Sequence, residues 1–279
     1  MKHTFLYLTF LSLIAFVATG CSSDDEYNAD TAISYYKPDA DKRMVSSIAI
    51  TSNVENRDYS WTYNFVYDAQ KRIKEINGVT KFYESRIKKY CEGTINTRYY
   101  YNNETLKIEY QYDIYFPESN KSTSKSDKYF GAFDKEDGVL KSFYSFDCEY
   151  SGLMLSKAYV DDGTIFGLEY DRSNNIIKAY QLDSLGNDPI ESTVREYEYS
   201  TNLNNTNIDF SSFIGNNIIE RIVPPNTFHP FELFHLGAFG MFGGRGKNLP
   251  KGTWEFDGEG CPVKFVSPQN RTYIITYKD

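Results

Sequence analysis

Four stretches of this sequence alternate aromatic or aliphatic residues with polar ones, and this period of two constrains the fold more than any other feature. The stretches cover residues 59–67, 106–116, 144–150 and 166–170. A strand points successive side chains to opposite faces, so the pattern predicts strands with one buried and one solvated face and excludes a helix there. The 25 tyrosines and 20 phenylalanines agree, because aromatic residues suit a pleated, half-buried surface.

A weak repeat joins the predicted strands. Each copy has an aromatic residue, then Asp or Asn, then a few polar residues, then the aliphatic start of the next strand. Asx side chains stabilise tight turns by accepting hydrogen bonds from their own backbone. The copies begin at Tyr67-Asp68, Tyr101-Asn102, Phe133-Asp134, Tyr170-Asp171 and Phe256-Asp257. The repeat predicts a mostly all-β fold, an antiparallel meander of hairpins that forms a curved sheet or a soluble barrel.

Two regions break the period of two. Residues 204–223 are rich in Asn and then apolar, and they end before Pro224-Pro225. Residues 228–243 carry apolar side chains at helical spacing and run into Gly243. We predict one or two short helices near 208–243 that pack on the apolar face of the sheet. A lid over a ligand is the alternative.

The first twenty residues have the three parts of an export signal. Lys2 precedes an apolar run over residues 5–17, which is too short to span a bilayer comfortably. The small residues 18–20 then lead into Cys21, an arrangement that resembles a bacterial lipobox. We therefore predict a signal peptide over 1–20 and lipidation of Cys21, with several acyl chains giving stable anchoring. An ordinary secretory signal is the alternative.

The residues after Cys21 predict where the protein is displayed. Residues 22–26 are two serines and three acidic residues, a segment without apolar side chains that is expected to be solvated. A serine and an acidic run directly after the lipidated cysteine resemble the surface-export signal of Bacteroidota lipoproteins. The organisation we predict is a lipidated N-terminus and flexible acidic tether over 21–44 and a single β domain over 45–279. The expected location is the outer membrane, lipid-anchored, at the cell surface; the alternative is an ordinary polar linker and a domain that faces the periplasm.

Charge and cysteine content exclude several classes of function. The formal net charge is −8 and no basic block is present, so nucleic acid and anionic lipid are poor candidates as partners. The lysines and arginines are scattered, which is typical of solvated faces. Beyond the anchor there are Cys91, Cys148 and Cys261, which allow at most one disulfide and which we expect to be buried apolar thiols.

No established catalytic or metal-binding motif stands in the sequence, and we predict neither a metal, nor a cofactor, nor a catalytic residue. His229 and His235 do not have the spacing of a helical metal pair. Asp147 and Glu149 alternate on a predicted strand, but a glycosidase needs two carboxylates facing each other across a cleft. The glycine-rich residues 240–246 lack the strand and helix of a phosphate cradle, so we interpret them as a turn.

Exposed aromatic residues are the remaining binding candidates. Trp61 and Trp254 are the only tryptophans, and such amphipathic rings can stack on sugars at a wet surface. We therefore name both as candidate ligand-binding residues, with a place in the core as the alternative.

The chain carries a family resemblance, in style over most of residues 45–279 and in motif detail over about the last forty residues. It rests on three segments, residues 244–250, residues 254–265 with the run Trp-Glu-Phe-Asp-Gly-Glu-Gly-Cys-Pro, and residues 273–277. These segments resemble a family of Bacteroidota lipoproteins classed as domain of unknown function 4595, with a porin-like fold. Cys261 stands where that family usually has an aromatic residue. The resemblance implies a curved or closed antiparallel sheet and supplies no activity.

Three functions follow as hypotheses. The first is a non-enzymatic lipoprotein that is attached to the membrane through its N-terminal lipid. Its β domain binds or scaffolds a glycan, a peptide or a partner protein. The second is an extracytoplasmic hydrolase that uses a pair of carboxylates. The third is a structural component of an outer-membrane complex.

Overall fold

The structure is a computed structural model, and it describes residues 34–39, 41–54, 57–84, 88–117, 119–213, 236–268 and 270–278. The predicted signal peptide, Cys21, most of the tether, both histidines of the β domain and residues 214–235 lie outside the described residues. Among the described residues, no helix has the length and apolar character needed to cross a membrane.

The described chain contains seventeen strands, two short helical segments and the helical residues 236–238. The strands are β1 Val45–Val54, β2 Arg57–Tyr67, β3 Ile73–Glu84, β4 Lys89–Asn102, β5 Thr105–Phe116, β6 Lys121–Phe133, β7 Leu140–Phe143, β8 Phe146–Ser151, β9 Met154–Val160, β10 Ile165–Tyr170, β11 Ile176–Gln181, β12 Arg195–Glu196, β13 Tyr199–Leu203, β14 Asn248–Pro250, β15 Thr253–Phe256, β16 Pro262–Val266 and β17 Thr272–Tyr277. The helical segments are α1 Phe210–Phe213 and a 3₁₀ turn, Glu191–Thr193. The prediction of a mostly all-β chain with little helix is confirmed.

Fifteen of the strands form a single antiparallel sheet in nearly sequential order. Strands β1 to β12 lie side by side in sequence order. On the other side of β1 lies β17, followed by β16 and then β15. Strands β13 and β14 form a separate two-stranded sheet. Within the described residues the large sheet ends at β12 on one side and at β15 on the other, so it is open and not a closed barrel.

The buried face of the sheet carries the core. Several of its residues stand at alternating positions that the sequence predicted, among them Tyr63, Phe65 and Ile108. The described parts of the 208–243 region pack on this face, as expected for a cap. The ring of Phe239 meets Phe65 edge-on with centroids 5.8 Å apart, and residue 241 accepts a backbone hydrogen bond from β7.

The aromatic-Asx repeat forms one recurring turn. At Asp68, Asp171 and Asp257 the carboxylate Oδ1 accepts hydrogen bonds from the backbone N–H groups two and four residues later, at 2.8 to 3.0 Å. The residue three positions after each aspartate has positive φ, and it is Lys71, Asn174 or Gly260. All three turns lie at the same end of the large sheet, which we call the turn end.

Tyrosine hydroxyls tie neighbouring strands together at the turn end. In each case a tyrosine near the end of one strand donates to a carbonyl oxygen at the start of the strand before it, at 2.6 to 2.8 Å. The donor and acceptor pairs are Tyr67 with Val45, Tyr101 with Ile73, Tyr150 with Leu140, Tyr170 with Leu155 and Tyr277 with Pro262. Tyrosine supplies both the apolar ring for the core and the hydroxyl for the carbonyl, which gives its abundance a structural reason.

The long strands project past the short ones at the opposite end. Strand β6 pairs with β5 over residues 121–132, but β7 pairs only with residues 131–133. The Tyr144 N–H donates to the Phe130 carbonyl, so even-numbered residues of β6 point their backbone groups away from β5. Residues 122–128 therefore form an exposed strand edge, which carries lysines at positions 125 and 128.

Candidate functional site

A basic cleft lies at the turn end of the sheet. Its volume is about 490 Å³, and the described residues that line it come from three segments that are distant in sequence: residues 37–39 and 42, residues 203–206, and residues 240, 243 and 245–247. Four of the lining side chains are basic and one is acidic. The basic residues are Lys37, Lys42, Arg245 and Lys247, and the acidic one is Asp39. This concentration of positive charge contrasts with the net charge of −8 for the whole chain.

The first wall is fixed by two anchored tyrosines that precede Lys37. The Tyr35 N–H donates to the Asn103 carbonyl at 3.0 Å, and the buried Tyr36 hydroxyl donates to the Phe239 carbonyl at 2.6 Å. The Tyr36 ring also stacks on Tyr101, with centroids 5.9 Å apart. Lys37 therefore leaves the core from a fixed backbone, while its own side chain is exposed.

The second wall is a loop held by its own amide and hydroxyl side chains. The Asn204 Nδ2 donates to the Ile208 carbonyl at 2.7 Å, and the Thr206 hydroxyl donates to the Asn204 Oδ1 at 2.9 Å. The Val45 N–H donates to the Asn207 Oδ1 at 2.8 Å, which joins the loop to the start of β1. Lys42 reaches across and donates from Nζ to the Asn204 carbonyl at 3.3 Å.

The third wall is the glycine-rich segment that follows the cap. Gly243 has a φ of +97°, and a Cβ there would lie 1.9 Å from the Leu153 carbonyl oxygen, so this close approach requires glycine. The Arg245 guanidinium donates to the Asn207 and Phe239 carbonyls, both at 2.6 Å. Arg245 thus clamps the second and third walls together.

A buried carboxylate supports the same wall from behind. Asp209 accepts hydrogen bonds from the Ser211 N–H at 2.9 Å, the Ser211 hydroxyl at 2.6 Å and the Gly246 N–H at 3.3 Å. Burial raises the pKa of Asp209, and the Ser211 and Gly246 hydrogen bonds and the charge of Arg245 oppose this shift. The residues that frame the cleft are therefore positioned by the core of the protein.

The four cations of the cleft differ in what they can offer a ligand. Arg245 contributes charge, but two of its guanidinium nitrogens already donate to carbonyl oxygens. Lys37 and Lys247 are exposed, and the part of the chain that the structure describes gives neither side chain a hydrogen-bond or ion-pair partner. These two ammonium groups are the ones available for an anion.

The two candidate tryptophans lie elsewhere and apart. Trp254 is half-buried, stacks on Phe265 with centroids 4.2 Å apart and donates from Nε1 to the Pro250 carbonyl at 2.9 Å. Trp61, on β2, is half-buried and stacks on Tyr59 at 6.1 Å. Three strands separate β15 from β2 in the sheet, so the two backbones are about 19 Å apart. Ligand binding at Trp61 and Trp254 stays a prediction.

The remaining candidates divide between core and solvent. No disulfide joins the three cysteines of the described residues; Cys91 and Cys261 are buried as expected, and Cys148 is only partly buried. Burial raises the pKa of the Cys148 thiol to about 12. Asp147 and Glu149 are exposed. No group of three or more His, Cys, Asp or Glu side chains that could hold a metal ion occurs in the described ranges.

The cleft is the site that sequence reasoning missed. Its lysines stand singly in the sequence, without the clustering that would mark a basic patch, and they were interpreted as solvated faces. Residues 240–246 were interpreted as a turn, which is correct, but that turn also lines the cleft. The one signal available was a glycine-rich run that contains Arg245 and Lys247.

Comparison with known proteins leaves the family open. No protein-family model and no curated protein matches the chain. Among solved structures, the chain is similar to a porin-like protein from Bacteroides uniformis ATCC 8492, with 14% sequence identity, a TM-score of 0.49, and coverage of 84% of this chain and 98% of that one. The resemblance to domain of unknown function 4595 stays a prediction.

Proposed function

We propose that this protein is an outer-membrane lipoprotein, anchored through Cys21 and displayed at the cell surface, whose β domain binds a ligand in the basic cleft without catalysing a reaction. The observation that carries the binding role is the convergence of Lys37, Lys42, Arg245 and Lys247 on one cleft. A volume of about 490 Å³ lies within the range of small-molecule sites.

The rigidity of the walls supports a binding role. Binding is favoured when the site is formed before the ligand arrives, because less ordering entropy is lost on association. Tyr36, Asn204 and Arg245 each fix one wall through hydrogen bonds to backbone or neighbouring side chains. The exposed lysines are then the adaptable groups at the mouth of a fixed site.

The anchor is tested by labelling cells with a palmitate analogue. We expect label on the wild-type protein, no label on Cys21→Ala, and full label on Cys91→Ala, the matched control in which a different cysteine is removed. Protease added to intact cells should digest the wild-type protein if it faces outward. Label that survives Cys21→Ala would contradict the anchor, and protection from protease would contradict surface display.

The binding role is tested with a panel of neutral and acidic sugars and phosphorylated small molecules. Any ligand that binds should lose affinity when Lys37→Gln and Lys247→Gln are combined. The control pair is Lys251→Gln with Lys264→Gln, which removes the same charge from exposed ion pairs with Glu198 and Glu255. A ligand that binds both double variants equally well would place the binding site outside the cleft.

A further inference from the structure

We propose that the cleft takes a phosphate monoester group, supplied either by a soluble phosphorylated molecule or by a lipid headgroup that ends in a phosphate monoester. This inference rests on the proposed binding role of the cleft and names the chemistry of its ligand. The basic cleft is a local exception to the net negative charge of the chain, which by itself disfavours anionic partners.

The charge balance of the lining favours a dianion. Among the described residues that line the cleft, four side chains are basic and one, that of Asp39, is acidic. The buried Asp209 carboxyl lies behind the wall and already accepts hydrogen bonds from Ser211 and Gly246. A phosphate monoester, which carries between one and two negative charges near neutral pH, would reduce the excess positive charge without reversing it.

The kind of donor favours phosphate over a carboxylate. The planar fork of an arginine recognises carboxylates and phosphates with two parallel hydrogen bonds, and a lysine binds phosphate as a point charge. The Arg245 fork is taken up by the Asn207 and Phe239 carbonyls. The remaining cations are lysines, which act as point charges with rotatable donors. They can approach a tetrahedral oxyanion from several directions, so the loss of the fork matters less.

The backbone of the glycine-rich wall does not provide the binding groups. The N–H groups of Gly244, Gly246 and Lys247 donate to Leu153, Asp209 and Ser173 of the protein. Binding must therefore depend on the lysine ammonium groups, Lys37 and Lys247 above all. This dependence makes binding sensitive to salt and to the removal of single charges.

The test is a titration of the lipidated full-length protein, in neutral nanodiscs of phosphatidylcholine, with inorganic phosphate. We expect saturable binding that weakens about tenfold or more in the Lys37→Gln, Lys247→Gln variant, because charge-assisted contacts are lost. Lys37→Arg with Lys247→Arg, which keeps the charge, should retain most of the affinity. The control pair Lys251→Gln, Lys264→Gln should bind like the wild type.

The source of the phosphate group is distinguished by changing the lipid. If a headgroup occupies the cleft, nanodiscs that contain phosphatidic acid, whose headgroup is a phosphate monoester, will compete with inorganic phosphate and lower its apparent affinity in the wild type but not in the lysine variant. If the source is soluble, both discs will give the same affinity. Either result supports the inference.

Two results would overturn it. One is saturable phosphate binding of equal strength in the wild type and in the Lys37→Gln, Lys247→Gln variant, and the other is no saturable binding in any disc. If phosphate fails while a sugar from the panel still binds in a manner sensitive to Lys37 and Lys247, the binding role of the cleft stands and only the phosphate assignment is lost.

Discussion

The turns at Asp68 and Asp257 have the same backbone geometry and each pairs its aspartate with an arginine, but they differ in burial. Asp68 accepts a hydrogen bond from Arg72 Nε at 2.6 Å, and the two side chains are 1% and 2% exposed. Asp257 pairs with Arg43, and these side chains are 24% and 34% exposed. Asp68→Asn and Asp257→Asn both keep an oxygen for the turn and remove the charge.

We expect Asp68→Asn to lower the free energy of unfolding by about 3 kcal/mol, near the lower end of the range for leaving one partner of a buried ion pair uncompensated. The lower end applies because Arg72 keeps a hydrogen bond to Gln70 at 3.3 Å and its stacking on Tyr101 at 4.5 Å. For a domain of this size the loss corresponds to a melting temperature lower by about 6 to 12 °C. Asp257→Asn should cost much less, because exposed ion pairs contribute little.

The assay is urea unfolding followed by tryptophan fluorescence, at low and high salt. Adding Arg72→Met to Asp68→Asn should recover most of the lost stability, since the buried charge that Asp68 balanced is then removed. Equal losses for Asp68→Asn and Asp257→Asn, or no recovery in the double variant, would refute this reasoning.

Three further predictions concern the sheet and its turns. Tyr170→Phe should cost about 1 kcal/mol in urea unfolding, since it leaves the Leu155 carbonyl without its hydroxyl donor, and no loss would contradict the bracing role. The pKa of Asp257 is lowered, chiefly by the Cys261 N–H and also by Arg43. The ionised Asp257 carboxylate should therefore stabilise the fold fully above the unfolded pKa near 4, and this stabilisation should be lost as the pH falls below it. A stability profile that is flat down to pH 3 would contradict this. Replacing the lysines of the β6 edge with threonine should raise light scattering on heating, because lysines at a free edge oppose strand pairing between molecules. Unchanged scattering would contradict this role of the lysines in preventing aggregation.

Much of the fold could be predicted because it depends on local patterns. The alternation in residues 106–116 reports directly which side chains face the core, and Asp68 and Asp171 mark turns through bonds to their own backbone. The open edges of the sheet could not be predicted, because closure depends on the lengths of β7 to β12 and on the pairing of β17 with β1. These are relations between distant residues.

The candidate site was less predictable for the same reason. Lys37 and Lys247 are ordinary surface lysines in the sequence, and their segments are brought together by tertiary hydrogen bonds such as those of Tyr36 and Arg245 to the Phe239 carbonyl. Trp254 was chosen for its chemistry, but its stacking on Phe265 was not visible in the spacing.

Hydrogen–deuterium exchange of the lipidated protein, with and without phosphate, tests most directly whether the cleft is a binding site. Phosphate should slow exchange in peptides that cover residues 37–42 and 240–247 of the wild type, and it should leave the edge peptide 122–128 unchanged. The Lys37→Gln, Lys247→Gln variant should show no such protection. Protection that persists in the variant, or that appears only outside the cleft, would contradict the account.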